Sequence, residues 1–388
     1  MRFVLIFLVA PGLFAQSFDL QGYVAARGVN ATGPESWLDG GIGRLEQGDG
    51  DDTMGVAQLG VEWRPSRRFD VHVSAAAYDD DPGLIEAYAD ARLFFGLDEV
   101  QLRAGQFFLP TSRENKDELW ASPYSINFSA LNTWIAQEFR PIGADLEWRH
   151  VLQRGHVLTT GATAFRGNDT MGALLGWRGW TVGNRISAYD EVLPLPPLAS
   201  FGTFFRDQRD DGTKPFGKDL DGNTGYAARV RYSIPQRGNV QYAYVDNRGD
   251  RELHRGEYAW ATDFHLVGVE LGNPDDFMFA AEFMRGSTGM GFTPAFVQGD
   301  FYAAYALMSG KRGRNRFTAR YDVFGVDEKD FSLAEPNDES GRSWTLAYLF
   351  DVSEKLRAAA EMTQVTGKNF AGQGTNGRSV TLEVRYTF

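Results

Sequence analysis

Apolar and polar residues alternate with a period of two along most of this chain. Between Val380 and Phe388, the residues Val380, Leu382, Val384, Tyr386 and Phe388 fall on one face, and Thr381, Glu383, Arg385 and Thr387 on the other. A helix cannot sort residues this way. A strand does, because its successive side chains point to opposite faces. The same sorting sets Phe317, Ala319, Tyr321 and Val323 against Arg316, Thr318, Arg320 and Asp322. It sets Ala57, Leu59, Val61 and Trp63 against Gln58, Glu62 and Arg64, and Tyr226, Ala228, Val230 and Tyr232 against Arg229 and Arg231. The pattern predicts about 18 strands of roughly 8–14 residues, the length of a tilted strand that crosses a membrane. The least regular segments are 170–177 and 179–189; merging them and losing one other strand gives 16.

Charges at this density would be ruinous on the buried face of a packed sandwich. They suit a wet lumen. The predicted fold is therefore all-β, a transmembrane antiparallel up-and-down barrel of 16–18 strands, with 18 the best count. Connection lengths agree. Long segments (29–53, 109–140, 190–222, 325–340 and 367–376) alternate with tight ones such as Pro65-Ser66-Arg67, Gly96-Leu97-Asp98 and Val352-Ser353-Glu354. Barrels of the outer membrane segregate short turns and long loops to opposite ends. Two aromatic belts are expected: Trp63, Trp148, Trp177, Trp180, Phe277, Phe350 and Phe388 near the short turns, and Phe165, Tyr226, Phe283 and Trp344 near the long loops.

The chain opens with Arg2, an apolar stretch from Phe3 to Phe14, and the small residue Ala15, the pattern of a signal peptide over residues 1–15. Residues 16–388 then form a single barrel domain, with no room before the first strand for a plug domain. Mean hydropathy is −0.34, which argues against a helical membrane protein and leaves a barrel open, since only alternate residues meet lipid. The net charge of −12 argues against a nucleic-acid partner. The absence of cysteine excludes disulfides and thiol chemistry.

The final strand, Ser379 to Phe388, resembles the terminal strand of Gram-negative outer-membrane porins. In that family the last Phe with alternating apolar residues, here Phe388 and Tyr386, is the signal read by the barrel-assembly machinery. The segment Gly105-Gln-Phe-Phe-Leu-Pro-Thr-Ser-Arg-Glu114, followed by Ile142-Gly143-Ala144, is similar to the phosphate-selective porin O/P group. The resemblance implies a multi-pass protein of the outer membrane, in contact with its lipid and lipopolysaccharide and often trimeric. It implies passive diffusion of ions and small hydrophilic solutes. A channel specific for phosphate or another small anion is the alternative, and a barrel enzyme or adhesin a more distant one.

In general porins the third outer loop folds into the lumen. Carried over, the 109–140 loop would place Arg113, Glu114, Lys116, Asp117 and Glu118 at a constriction. Inward arginines, Arg229, Arg231, Arg316, Arg320, Arg357 and Arg385, would form a basic pore wall, since walls of charge select ions in wide channels. Carboxylates share that lumen, among them Glu62, Asp70, Asp145, Glu282, Asp322 and Glu361, so its sign is mixed; local pairing across strands is the competing reading. Asp219, Asp221 and Asn223 are spaced like part of a calcium loop but lack its downstream Glu, so they read as a solvated acidic loop. No cofactor is expected. Of the five histidines, His72, His150, His156 and His265 have no nucleophile motif, and His254 has Glu252 and Glu257 merely near in sequence. The expectation is that the chain is not an enzyme.

Overall fold

The computed structural model describes residues 17–79, 81–330, 338–368 and 372–388; the side chain of Glu118 is not among those described. The predicted signal peptide lies outside them. Sixteen antiparallel strands close into one barrel. In chain order they are β1 (Ser17–Thr32), β2 (Gly50–Ser66), β3 (Phe69–Tyr78), β4 (Asp81–Phe95), β5 (Asp98–Gln106), β6 (Ile142–Val151), β7 (Val157–Arg166) and β8 (Gly225–Ile234). There follow β9 (Gly238–Asp246), β10 (Ala261–Gly272), β11 (Phe277–Phe292), β12 (Ala295–Arg312), β13 (Asn315–Glu328), β14 (Glu339–Asp351), β15 (Leu356–Lys368) and β16 (Gly377–Thr387). The first and last strands pair from Tyr23↔Thr387 to Thr32↔Arg378, and the Phe388 N–H donates to the Gly22 carbonyl at 3.0 Å. Closure leaves no sheet edge, which a strand in lipid requires.

The predicted alternation holds on the wall. Phe317, Leu382 and Trp344 are more than half exposed on the outer surface, while Arg320, Asp322 and Glu383 on the same strands are buried inside. This outward apolar surface is what lipid covers. Turns of a few residues join the strands at one end, and the long connections lie at the other. The wall is uneven. Strands β11 and β12 run 16 and 18 residues, whereas β5 and β6 run 9 and 10. The chain leaves the wall early at β5 and re-enters at β6. There Gly105 pairs with Gly143, and a Cβ on either would collide with the neighbouring strand's carbonyl, of Ala87 or Ala164; Gly105 also has φ +134°.

Two predicted strands do not exist. Segments 170–177 and 179–189 belong to one long connection, 167–224, that packs inside the barrel mouth, so the count is 16 and not 18. Residues 167–184 are all buried. The apolar side chains there face a protein interior on every side, not lipid on one. Trp177 and Trp180 accordingly leave the predicted outer belt and are almost completely buried. Phe165 is also corrected. It points into the lumen, edge-on to Phe139 at 5.9 Å. Trp148, Phe277, Phe388, Tyr226, Phe283 and Trp344 stand exposed on the outer surface as predicted.

Candidate functional site: the charged lumen and its two inserted loops

The connection between β5 and β6 folds into the lumen, and almost every residue from 107 to 141 is buried. Phe108 stacks on Trp120 at 4.2 Å, and Trp120 meets Phe128 edge-on. Helix α1 (Ala130–Glu138) follows, capped by Ser129, whose Oγ accepts from the Asn132 N–H at 3.2 Å. The barrel wall holds this loop through carboxylates that accept its backbone N–H groups. Glu361 takes Ile126 and Asn127 at 2.6 and 3.0 Å, Asp322 takes Ala130 at 3.1 Å, and Glu86 takes Phe108 at 2.7 Å. Two acids, Asp322 and Glu114, lie at the start of α1, where the helix dipole favours negative charge.

The second inserted segment, 167–224, lies over the first. The Trp180 N–H donates to Glu339 at 2.9 Å and its indole N–H to the Gly325 carbonyl at 3.1 Å. The Asn184 N–H donates to Glu46 at 2.7 Å. Glu138, at the end of α1, accepts from the N–H groups of Gly172 and Leu174, which joins the two loops. Trp134, Trp180, Phe264 and Phe301 form an aromatic cluster between loops and wall. The two loops thus fill much of the outer half of the lumen.

Water reaches the other half. A vestibule of about 790 Å³ opens toward the short turns, roofed by residues 108–120. On its β1–β4 side Asp19, Glu62, Asp70, Glu86 and Asp90 line it with Arg64 and Arg92, and Arg103 of β5 faces the same space. Most of these charges are paired: Arg103 with Asp90 at 2.8 Å, Arg92 with Asp70 at 2.8 Å, and Arg64 with Glu62. The β6–β10 side presents Arg149 and Arg231, with Arg113 and Lys116 from the loop, against Glu270. Lys116 pairs with Glu270. The guanidinium of Arg113 meets only neutral acceptors, Asn239 Oδ1 at 2.9 Å and the carbonyls of Pro110 and Thr111. Among the described residues the Arg231 side chain has no hydrogen bond or ion pair, although it faces the same vestibule.

The predicted constriction residues therefore part company. Arg113 and Lys116 line the vestibule, and Asp117 stands exposed between it and a smaller cavity of about 320 Å³. Glu114 is fully buried and accepts from Ser129 N–H, Asn132 and Arg320. The side chain of Glu118 lies outside the described residues. Of the predicted wall, all six arginines point inward. Arg229 is paired with Asp145 and Glu147 at 2.6 and 2.8 Å, Arg385 with Glu383 at 3.0 Å, and Arg357 with Asp351 at 3.2 Å. Arg320 is sealed beneath the loop with Glu114 and Asp322. Arg316 lies over the Tyr124 ring at 5.3 Å. Sequence reasoning missed the anchors Glu339, Glu46 and Glu138, which no spacing assigns to a distant backbone N–H.

Among the outer loops, Asn223 turns its amide nitrogen to Asp221 Oδ2 at 3.0 Å, and the third carboxylate beside Asp219 and Asp221 is Asp169. Burial, followed by the charges of Asp221 and Asp219, pushes the Asp169 carboxyl up to about 6, against the N–H groups of Leu220 and Asp221 that hold it down.

No protein-family model and no curated protein sequence matches this chain. Solved structures match along nearly its whole length. The outer membrane channel DcaP of Acinetobacter baumannii superposes with a TM-score of 0.61 at 10% identity, covering 96% of this chain and 97% of that one. OmpT, an outer membrane protein of Vibrio cholerae, in its trimer form gives 0.55 at 9% identity, over 97% and 100%. An anion-selective porin from Comamonas acidovorans gives 0.51 at 12% identity, over 96% and 100%. The chain has the fold of these outer-membrane barrels and spans the outer membrane with its sixteen strands.

The expectation that the chain is not an enzyme is corrected. Further structures of OmpT from Vibrio cholerae stand among the similar barrels, and a wall shared at this identity assigns no chemistry to the loops it carries. The sequence argument also underestimates His254. Its Nε2 meets the Asp250 carboxylate at 2.8 Å, and Glu252 belongs to the same group in an outer loop.

Proposed function

We propose that this barrel is a porin-type channel for ions and small hydrophilic solutes, narrowed by two inserted loops instead of one. The observation that carries this reading is the charged, water-accessible vestibule beneath a roof whose polar groups are anchored to the wall. In this reading Arg113, Lys116 and Asp117 border the constriction, while Glu114 fixes it from behind. Arg229, Arg231, Arg316, Arg357 and Arg385 face the solute path, and Arg320 acts as an anchor. Residues 1–15 are a cleaved export signal, and Phe388 with Tyr386 is the assembly signal. A homotrimer is the proposed assembly, in keeping with the trimer form of the Vibrio barrel.

Planar-bilayer recording of the refolded chain tests this. Discrete conductance steps that scale linearly with salt are expected. A correctly folded, heat-modifiable protein that inserts without conducting would overturn the reading. A second reading, preference for phosphate or another small anion, is favoured by one observation: Arg113 and Arg231 border the vestibule with no carboxylate partner. Current that saturates at low phosphate is its signature.

A further inference from the structure

We propose that the tall side of the barrel carries a docking belt for the phosphate groups of outer-leaflet glycolipids, built from Arg285, Arg342 and Arg378. The argument starts from the outward positions of three strands, counted from the short-turn end. On β11 they are Phe277, Phe279, Ala281 and Phe283, and the fifth is Arg285. On β14 Phe350, Tyr348, Leu346 and Trp344 precede Arg342. On β16 Tyr386, Val384, Leu382 and Val380 precede Arg378. Four apolar positions and then an arginine recur three times, on the half of the barrel that carries no inserted loop.

Eight residues of a strand tilted by about 40° rise roughly 20 Å, close to the ~25 Å height of the apolar band of such barrels. The three guanidiniums therefore stand at the hydrocarbon boundary on the long-loop side, which outer-membrane barrels turn to the cell exterior. All three are exposed. Among the described residues none meets a carboxylate. Arg342 donates to Thr366 Oγ1 at 3.2 Å, and the side chains of Arg285 and Arg378 make no hydrogen bond or ion pair. Inside the barrel Arg229, Arg320, Arg357 and Arg385 are instead matched to acids.

The neighbours of Arg285 fit a headgroup. His265 and Tyr302 flank it in register on the adjacent strands, and His265 is hydrogen-bonded to Tyr242 at 2.7 Å. The nearest outward acids, Asp263 and Asp300, stand one outward position farther from the membrane. Asp263 accepts from Ser287 Oγ, and Asp300 faces Lys329 at 3.6 Å. A lipid rising from the hydrocarbon thus meets arginine first. The occupant is a phosphorylated glycolipid. Its acyl chains lie on the apolar rows, and its phosphates take the planar guanidinium forks, which match that geometry in a bidentate way. Basic clusters at a membrane interface attract anionic headgroups for the same reason.

Native mass spectrometry of the full chain in detergent, with EDTA present and diphosphoryl lipid A as the probe, tests the belt. Wild type is expected to retain the lipid, and to prefer it to the monophosphoryl form. The triple variant Arg285→Gln, Arg342→Gln, Arg378→Gln should lose about tenfold or more of the retained lipid, while the triple Lys variant keeps most of it. Heat-modifiable migration and conductance should be unchanged, because none of the three faces the lumen. Equal retention by wild type and the Gln variant overturns the proposal. So does lipid that EDTA strips from wild type, which would assign binding to divalent cations on acidic loops. A change of oligomer size in place of lipid loss overturns it as well, and makes this face a contact between copies.

Discussion

Arg320 and Glu114 form a 2.6 Å ion pair in which neither side chain is exposed, and this pair ties strand β13 to the loop that fills the lumen. Arg320 also reaches Asp322 at 3.1 Å and the carbonyls of Asn127 and Phe128 at 2.7 and 2.8 Å. It is therefore the hub of the loop's attachment. Removing one partner of a buried pair leaves an uncompensated charge, at a cost on the order of 3–5 kcal/mol. Arg320→Met should release the 107–141 loop. Limited proteolysis within that loop and noisy, enlarged single-channel currents are the expected outcomes. Unchanged protease resistance would show that the remaining anchors suffice.

Trp180 plays the same part for the second loop. Its indole is fully buried, its ring meets Trp134 and Phe301, and both of its N–H groups are bonded to the wall. Trp180→Ala should cost roughly 3–5 kcal/mol through the cavity left behind. Because the strands do not depend on this residue, the loss should fall on the loop. Hydrogen exchange across 167–187 should accelerate while the strands stay protected, and deletion of 170–187 should raise conductance several-fold. A deletion that conducts like wild type would remove the second loop from the solute path.

These two loops mark where the sequence stops being readable. The wall is legible because lipid on one side and polar lumen on the other impose a strict alternation, as in β13 and β16. Lipid sets that rule, and it holds only for residues that touch lipid. Met171 to Trp177 is apolar without alternation. That is the mark of a segment enclosed by protein, and it separates this stretch from a true strand such as β8, Gly225–Ile234. The third loop's inward course follows from family resemblance, but its anchors do not. A wall carboxylate bonded to a backbone N–H some 235 residues away, as Glu361 is to Ile126, leaves no trace in spacing. Arg320 is visible as an inward arginine, yet its role as an anchor and not a water-facing charge depends on what covers it.

Arg113 and Arg231, vestibule arginines without acidic partners, give a prediction about charge preference. Paired charges such as Arg229 with Asp145 and Glu147 contribute little net field, whereas Arg113 and Arg231 contribute most of theirs. Arg113→Gln together with Arg231→Gln should shift the reversal potential under a salt gradient toward cations. Arg229→Gln should shift it less, because it removes one cation in place of two and does so at a side chain that is only 9% exposed. The comparison of the two variants in planar bilayers is the measurement. An equal shift from both would mean that pairing inside the lumen does not screen the wall charges.

Asp169 gives the outer loop a pH dependence whose sign follows from its raised pKa. The carboxylate is buried beside Asp219 and Asp221 and accepts the N–H of Leu220. Its folded pKa of about 6 lies above the ordinary value of 3.8. The folded loop therefore holds this proton more tightly than the unfolded one. The associated stability is fully present below about pH 4 and is lost as pH rises through 6. After allowance for partial solvent screening, the loss is on the order of 1–2 kcal/mol. Amide exchange at Leu220 and Asp221, corrected for the intrinsic rate, should speed up about three- to tenfold between pH 5 and pH 7.5. In Asp169→Asn the amide group keeps an acceptor oxygen but no longer titrates, so the same exchange should be nearly flat with pH. A wild-type loop that grows more protected over this interval would reverse the sign and place the stabilising charge on the ionised form.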